Sequence, residues 1–168
     1  MQQKMVQAYV GLGSNLGDTG RNLRLAAALV CSLKDVHPGR ESSIYYTEPQ
    51  GVKDQPWFAN QVLQVYCGQQ WSPVSLLRAL LGIEDSLGRV RDLVWGARSI
   101  DLDLLLFGQQ SGIWQELILP HPRLEERAFV LVPLGEISPE LKLSGARTPA
   151  QLLQGISYRL QGNRIWQD

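Results

Sequence analysis

The chain has 168 residues, 44% hydrophobic and 19% charged, with sixteen basic residues balanced by sixteen acidic ones. That profile suits one compact domain over 1–168 and excludes a disordered chain, a nucleic-acid coat and a polybasic membrane anchor. No apolar run reaches the roughly 18 residues that cross a bilayer, and Met1 to Val6 carries no secretory pattern, so a cytoplasmic monomer is expected. Two cysteines and two histidines are too few for a zinc cluster and read as reduced core thiols and isolated imidazoles.

Gln7 to Gly13 reads as a short apolar strand ending in glycines. Asp18 or Thr19 caps a helix with apolar positions at Leu23, Leu25, Ala26, Leu29, Val30 and Leu33, and His37-Pro38-Gly39 stops it. Ser42 to Thr47 is rich in strand formers, Glu48 to Pro56 is a loop full of breakers, and Phe58 to Tyr66 returns to strand character. Pro73 opens a second helix that runs to about Leu87 on an apolar side of Leu76, Leu77, Leu80, Leu81 and Ile83. Gly88 to Gly96 is a polar, arginine-bearing loop, and Ser99 to Phe107 is the strongest strand. Ile113 to Leu119 is a further strand candidate, a third helix runs from Glu125 to Leu134, and the tail from Pro149 holds one more short helix. The order strand, helix, two strands, helix, strand predicts an α+β fold with a ferredoxin-like split β-α-β core. Its sheet is largely antiparallel, with helices on both faces.

Asp101-Leu-Asp103-Leu-Leu-Leu-Phe107 is the central chemical feature. Side chains alternate along a strand, so the two carboxylates point the same way, about 6–7 Å apart, and Leu102, Leu104 and Leu106 point to the opposite face. Such a pair suits hard divalent cations such as Mg²⁺. Taken alone, it is more often a solvated face whose acids pair with Arg98 and a neighbour. Arg89, Arg91 and Arg98 precede it, and arginine forks fit phosphate oxygens. Metal carboxylates flanked by arginines are what a triphosphate needs; singly, each arginine is equally a solvated loop residue. His121 sits between two prolines, a fixed extended backbone from which it could donate to a phosphate, with Arg127 and Phe129 just beyond. His37 has no such company and reads as structural. Gly11-Leu-Gly13-Ser-Asn-Leu-Gly17 fits neither G-x-G-x-x-G nor a Walker loop, so it reads as a strand-to-helix turn, and any ATP is held without one. On residues alone, a two-metal phosphohydrolase and a non-enzymatic binding module stay open beside a phosphoryl-type transferase.

Three stretches carry a stronger signal together: Gly11-Leu-Gly-Ser-Asn-Leu16; Gly88-Arg-Val-Arg91 through Trp95-Gly-Ala-Arg98-Ser-Ile-Asp-Leu-Asp103 to Gly108; and Leu119-Pro-His-Pro-Arg123. With Asp54-Gln-Pro-Trp-Phe-Ala-Asn60, they make the chain resemble the 6-hydroxymethyl-7,8-dihydropterin pyrophosphokinases over residues 11 to about 139. The resemblance implies transfer of pyrophosphate from ATP to the pterin hydroxymethyl oxygen, with release of AMP, in folate synthesis. It implies that Asp101 and Asp103 hold two Mg²⁺ ions, that Arg89 and Arg98 meet the phosphates, and that His121 contacts the nucleotide with Arg91 and Arg127 nearby. Glu84 and Leu104, the latter through its backbone, match nucleotide-side positions. Phe58 and Phe129 match the rings that sandwich the pterin, Asn60 the amide that reads its edge, Thr47 to Gly51 backbone groups that help, and Trp95 a closing tryptophan. ATP and the dihydropterin are the implied partners. The chain departs from the family pattern where Arg91 to Trp95 is a residue shorter than in some members and where Asp92, Leu81 and Glu116 replace a lysine, a polar residue and an arginine.

Overall fold

The computed structural model describes residues 4–88 and 99–168. The chain order is β1 (Val6–Ser14), α1 (Thr19–Cys31), β2 (Val36–Glu41), β3 (Tyr45–Thr47), β4 (Phe58–Cys67), α2 (Pro73–Ser86) and β5 (Asp101–Phe107). It continues with β6 (Gly112–Ile113), β7 (Ile118–Leu119), α3 (Ala128–Ile137), α4 (Pro149–Leu153), β8 (Tyr158–Gln161) and β9 (Arg164–Gln167). Seven strands form one sheet in the order β5-β1-β4-β3-β9-β8, with β2 also paired to β4, and β6 and β7 form a separate ribbon. The pairings are antiparallel except that of β3 with β9. No helix among the described residues is long and apolar enough to cross a membrane.

Strand alternation gives the sheet two apolar faces. Ala8, Val10 and Leu12 of β1, with Ala59, Leu63 and Val65 of β4, meet Leu23, Ala26 and Val30 of α1 and Leu76 and Leu80 of α2. On the other face Tyr9 and Val62 meet Val130, Leu131 and Leu134 of α3 and Leu152 of α4. Local signals set the helix starts. Asp18 accepts the Arg21 N–H at 2.9 Å to cap α1, and a Ser72–Ser75 capping box with Pro73 in the first turn opens α2.

Four details differ from the sequence reading. First, α1 ends at Cys31, and His37-Pro38-Gly39 belongs to β2. A reversal through Asp35, at φ 56°, brings that segment back to pair with β4 on a flank where a proline is tolerated. Gly39 is required there, since a Cβ would lie 2.7 Å from Gln64 Oε1 and 2.9 Å from the Gln64 carbonyl. Second, β5 carries a bulge: Val10 faces Leu104 and Tyr9 faces Leu106, leaving Leu105 as the extra residue. Leu102 and Leu104 enter the α1–α2 core as expected, but the bulge moves Leu106 into the α3 core and Phe107 back into the first. Third, α3 begins at Ala128, after a 3-10 turn over Leu124–Glu126, and continues to Ile137. Fourth, the tail holds a hairpin, β8–β9, beside the expected short helix. Its two-residue turn is Gly162-Asn163, with Gly162 at φ 60°.

Candidate active site

The site is a pattern of cross-strand neighbours on the sheet face beside α3. Gly13 of β1 lies opposite Asn60 of β4 on one side and Asp101 of β5 on the other; Gly11 lies opposite Val62 and Asp103. Two rows therefore run across the sheet, Asn60–Gly13–Asp101 and Val62–Gly11–Asp103, with outer members roughly 10 Å apart by strand spacing. The two glycines, read from sequence as the end of a strand leading into a turn, lie within β1 and keep the floor low between the rows. A Cβ at Gly13 would stand 3.6 Å from Asn60 Oδ1, and one at Gly11 3.5 Å from the Leu105 side chain. Over this floor opens a cleft of about 620 Å³, lined among others by Thr47, Phe58, Asn60, Glu84, Asp101, Asp103, His121, Arg127 and Phe129.

At the acidic end, Asp101 and Asp103 are part-exposed while Leu102 between them is buried, as the alternation requires. Glu84, on α2 and fully buried, accepts the Leu102 N–H at 2.7 Å and ties the helix to the strand between the two aspartates. The loop carrying His121 is fixed to the bulge of β5, where the His121 N–H donates to the Leu105 carbonyl at 3.0 Å. His121 Nδ1 accepts the Arg123 N–H at 3.3 Å, which assigns the imidazole proton to Nε2 and makes that nitrogen a donor. Burial, the Arg127 guanidinium and, less strongly, Arg123 hold its pKa below the ordinary histidine value against an opposing pull from Asp101. Arg127 is itself pressed downward by burial and by Arg123, partly offset by Asp103 and Asp101. Its Nε is buried with no hydrogen-bond partner among the described residues, and its guanidinium lies 5.4 Å from the Phe129 ring centroid.

At the aromatic end, Asn60 is buried and its Nδ2 donates to Thr47 Oγ1 at 2.9 Å, so Oδ1 is the half of the amide left for a ligand. Phe58 opens β4 and Phe129 lies in the first turn of α3, so the two rings come from different elements.

No cluster of three or more His, Cys, Asp or Glu placed to hold a metal exists among the described residues. Two carboxylates on one face without a third protein ligand do not close a cage around a structural ion. They fit Mg²⁺, which binds through one or two carboxylates and completes its shell with water and substrate phosphates.

Residues 9–139 match the family model for 7,8-dihydro-6-hydroxymethylpterin-pyrophosphokinase. The chain belongs to this family. The pyrophosphokinases most similar to it include the 2-amino-4-hydroxy-6-hydroxymethyldihydropteridine pyrophosphokinase of Bacillus subtilis, 40% identical over 159 residues that cover 95% of this chain and 89% of that one. The Pseudomonas aeruginosa protein of the same name is 41% identical over 155 residues, covering 92% and 94%. The fold matches a Plasmodium falciparum HPPK-DHPS chain crystallised with pterin and p-hydroxybenzoate, with a TM-score of 0.71 at 14% identity over 98% of this chain. The present chain spans about half of that larger one, 49% of its length.

Of the residues that the sequence singles out, Thr47, Phe58, Asn60, Glu84, Asp101, Asp103, His121, Arg127 and Phe129 line the pyrophosphokinase cleft. Gly51 and Leu104 do not: Gly51 is exposed beside the lining residue Gln50, and the Leu104 side chain is in the core. Arg89, Arg91, Trp95 and Arg98 lie outside the described residues. Glu48 and Gln50 line the cleft within the Thr47 to Gly51 stretch expected to help hold the pterin, and Gly11, Gly13 and Arg123 line it with no individual site role expected of them. The glycines had a usable signal, since two glycines two apart in an apolar strand mark a close approach on one face. Among the departures from the family pattern, Leu81 lines the cleft and Glu116 pairs with Arg78 at 2.6 Å.

Proposed function

We infer that this cleft is where the chain, an ATP-dependent pyrophosphokinase of folate synthesis, transfers pyrophosphate from ATP to 6-hydroxymethyl-7,8-dihydropterin. The observation that carries the assignment is the Asn60–Gly13–Asp101 row, which puts an amide beside aromatic rings and a carboxylate pair on one face, one glycine strand apart. A flat heterocycle stacked between Phe58 and Phe129, with its polar edge at Asn60 Oδ1, points its arm along the floor towards the aspartates. Its hydroxymethyl oxygen bonds to the β-phosphorus of ATP and gives up its proton to solvent, the bond from that phosphorus to the oxygen it shares with the α-phosphorus breaks, and AMP leaves with that oxygen.

The chain's own residues position and neutralise, as phosphoryl-type transfer demands. Asp101 and Asp103 would hold the Mg²⁺, two ions by the family resemblance, which would supply neutralisation of phosphate charge. His121 Nε2–H and the buried Arg127 guanidinium donate to phosphate oxygens, a role that fits a neutral imidazole and a cation with an unfilled donor. Glu84 fixes β5 against α2 so that the acidic pair keeps its aim. Arg89, Arg91, Arg98 and Trp95 keep their assignments as phosphate and closing residues on the strength of the sequence. Thr47 orients Asn60, and the backbone near Gly51 and Leu104 completes the pterin and nucleotide sides. The neighbour order β5-β1-β4-β2 supports a ferredoxin-like split β-α-β core to which β3, β8 and β9 are additions.

Protein, Mg²⁺, ATP and the dihydropterin, mixed and analysed for nucleotides, test the reading. AMP formed only with the pterin supports it. ADP or free phosphate without pterin favours a hydrolase, and no turnover favours a binding module.

A further inference from the structure

The C-terminal strand β9 touches the backing of both aromatic walls of the cleft, although it lies outside residues 9–139. Adjacent residues on a strand leave it on opposite sides, and Trp166 and Gln167 use this to reach two different elements. The Trp166 ring meets Trp57 edge to face, with centroids 5.5 Å apart at 84°, and Trp57 is the residue before Phe58. The pair is closed at each end by a guanidinium, Arg159 at 4.1 Å over Trp166 and Arg164 at 5.6 Å over Trp57. Gln167 reaches the other wall. Its Oε1 accepts the Ala128 N–H at 2.8 Å and its Nε2 donates to the Glu126 carbonyl at 2.6 Å.

Those two bonds straddle Arg127. The residue has an extended backbone, φ −113° and ψ 110°, and joins the 3-10 turn to α3. Its own side chain does not cap the helix. A helix start leaves its first N–H groups without intrahelical partners, and here the amide of Gln167 satisfies the first of them from a distant strand. The same side chain holds the last carbonyl of the preceding turn. The direction in which Phe129, in the first turn of α3, enters the cleft is therefore set by a residue that does not line it.

We propose that Gln167 is a positioning residue for pterin binding, setting the Phe129 wall while Trp166 sets the Phe58 wall. The proposal rests on the reading that Phe58 and Phe129 sandwich the pterin. Loss of Gln167 leaves the fold and loosens the spacing of the two rings, so it raises the pterin KM and spares kcat at saturation. Glutamate at this position keeps the acceptor for Ala128, which the positive end of α3 favours, but loses the donor to Glu126.

The test titrates the dihydropterin into protein with Mg²⁺ and a non-hydrolysable ATP analogue, alongside steady-state kinetics. Gln167→Ala weakens pterin binding about tenfold and Gln167→Glu about threefold, the scale of one hydrogen bond or less, with kcat and analogue affinity nearly unchanged. Unaltered pterin affinity in Gln167→Ala despite a lower Tm overturns the proposal. So does an equal loss of pterin and analogue binding, or a glutamate variant as weak as the alanine one. If the alanine variant does not fold, the glutamate variant decides alone: a selective loss of pterin affinity supports the proposal, and none overturns it. Phe129→Ala run in parallel separates the failures. If it loses pterin affinity while Gln167→Ala does not, only the positioning role is wrong; if neither does, the sandwich itself is wrong.

Discussion

The two ends of the cleft are built by different physics. At the aromatic end the geometry is held by contacts internal to the protein: Thr47 grips Asn60, and Gln167 grips the start of α3. At the acidic end titratable groups crowd one another. Burial and neighbouring guanidinium charge press the pKa values of both His121 and Arg127 downward. A preorganised wall binds, because little ordering cost remains to be met when the ligand arrives. A crowded charge cluster acts on the reaction, because its electrostatic work is completed only by the ligand's own charges. Variants at the aromatic end should thus change pterin affinity, and variants at the acidic end should change turnover.

The largest effect expected is at Asp103. Asp103→Ala should lower kcat by about a thousandfold or more, the scale of lost metal anchoring and charge stabilisation. Its fold should persist, because the Asp103 side chain is part-exposed on the cleft face rather than packed in either core. A variant that melts far below the parent would make the residue structural and erase the contrast. Next is Phe129→Ala, expected to weaken pterin binding by about one to two orders of magnitude through lost stacking and burial, with the ATP analogue held as before. A fall in kcat with pterin affinity intact would put the ring on the wrong side of the comparison. Smaller again is Asn60→Asp, which keeps an acceptor but cannot donate to Thr47; isothermal titration should show pterin binding about tenfold weaker. Retained affinity would mean that the Thr47 bond does not orient the amide.

Much of this arrangement was legible in the sequence because local signals decided it. Alternation in β5 placed Asp101 and Asp103 together, breakers bounded β4, and Pro73 marked the start of α2. Non-local events were not legible. The Leu105 bulge depends on pairing with β1 and redirected Leu106. The His37-Pro38-Gly39 segment became strand because β4 offered an edge, which outweighed its breakers. The β8–β9 hairpin did have a signal in Gly162-Asn163, yet nothing local says that Trp166 meets Trp57 or that Gln167 caps a helix thirty-nine residues earlier. The glycines of β1 were legible as the end of a strand that turns into a helix, but which neighbours they separate was not, because that depends on pairing with β4 and β5.

The smallest effect sharpens the comparison most directly, because it reads the acidic end without turnover. His121 should titrate by NMR below the ordinary value of about 6.5 in the protein free of metal and nucleotide, chiefly through burial. Arg127→Gln removes the next cause and should move the midpoint part of the way up, while Asp101→Asn removes the opposing pull and should move it further down. The linkage has a definite sign. A histidine whose folded pKa lies under its unfolded one contributes stability that is present above about 6.5 and lost as pH falls towards the folded midpoint, because the unfolded chain takes up the proton first. Denaturant midpoints should therefore decline across that window in the parent and decline less in Arg127→Gln. A midpoint at or above the ordinary value would mean that Asp101 outweighs burial and Arg127 together. His121 would then carry its proton over a wider pH range before any phosphate arrived, and the acidic end would be closer to settled within the protein, as the aromatic one is.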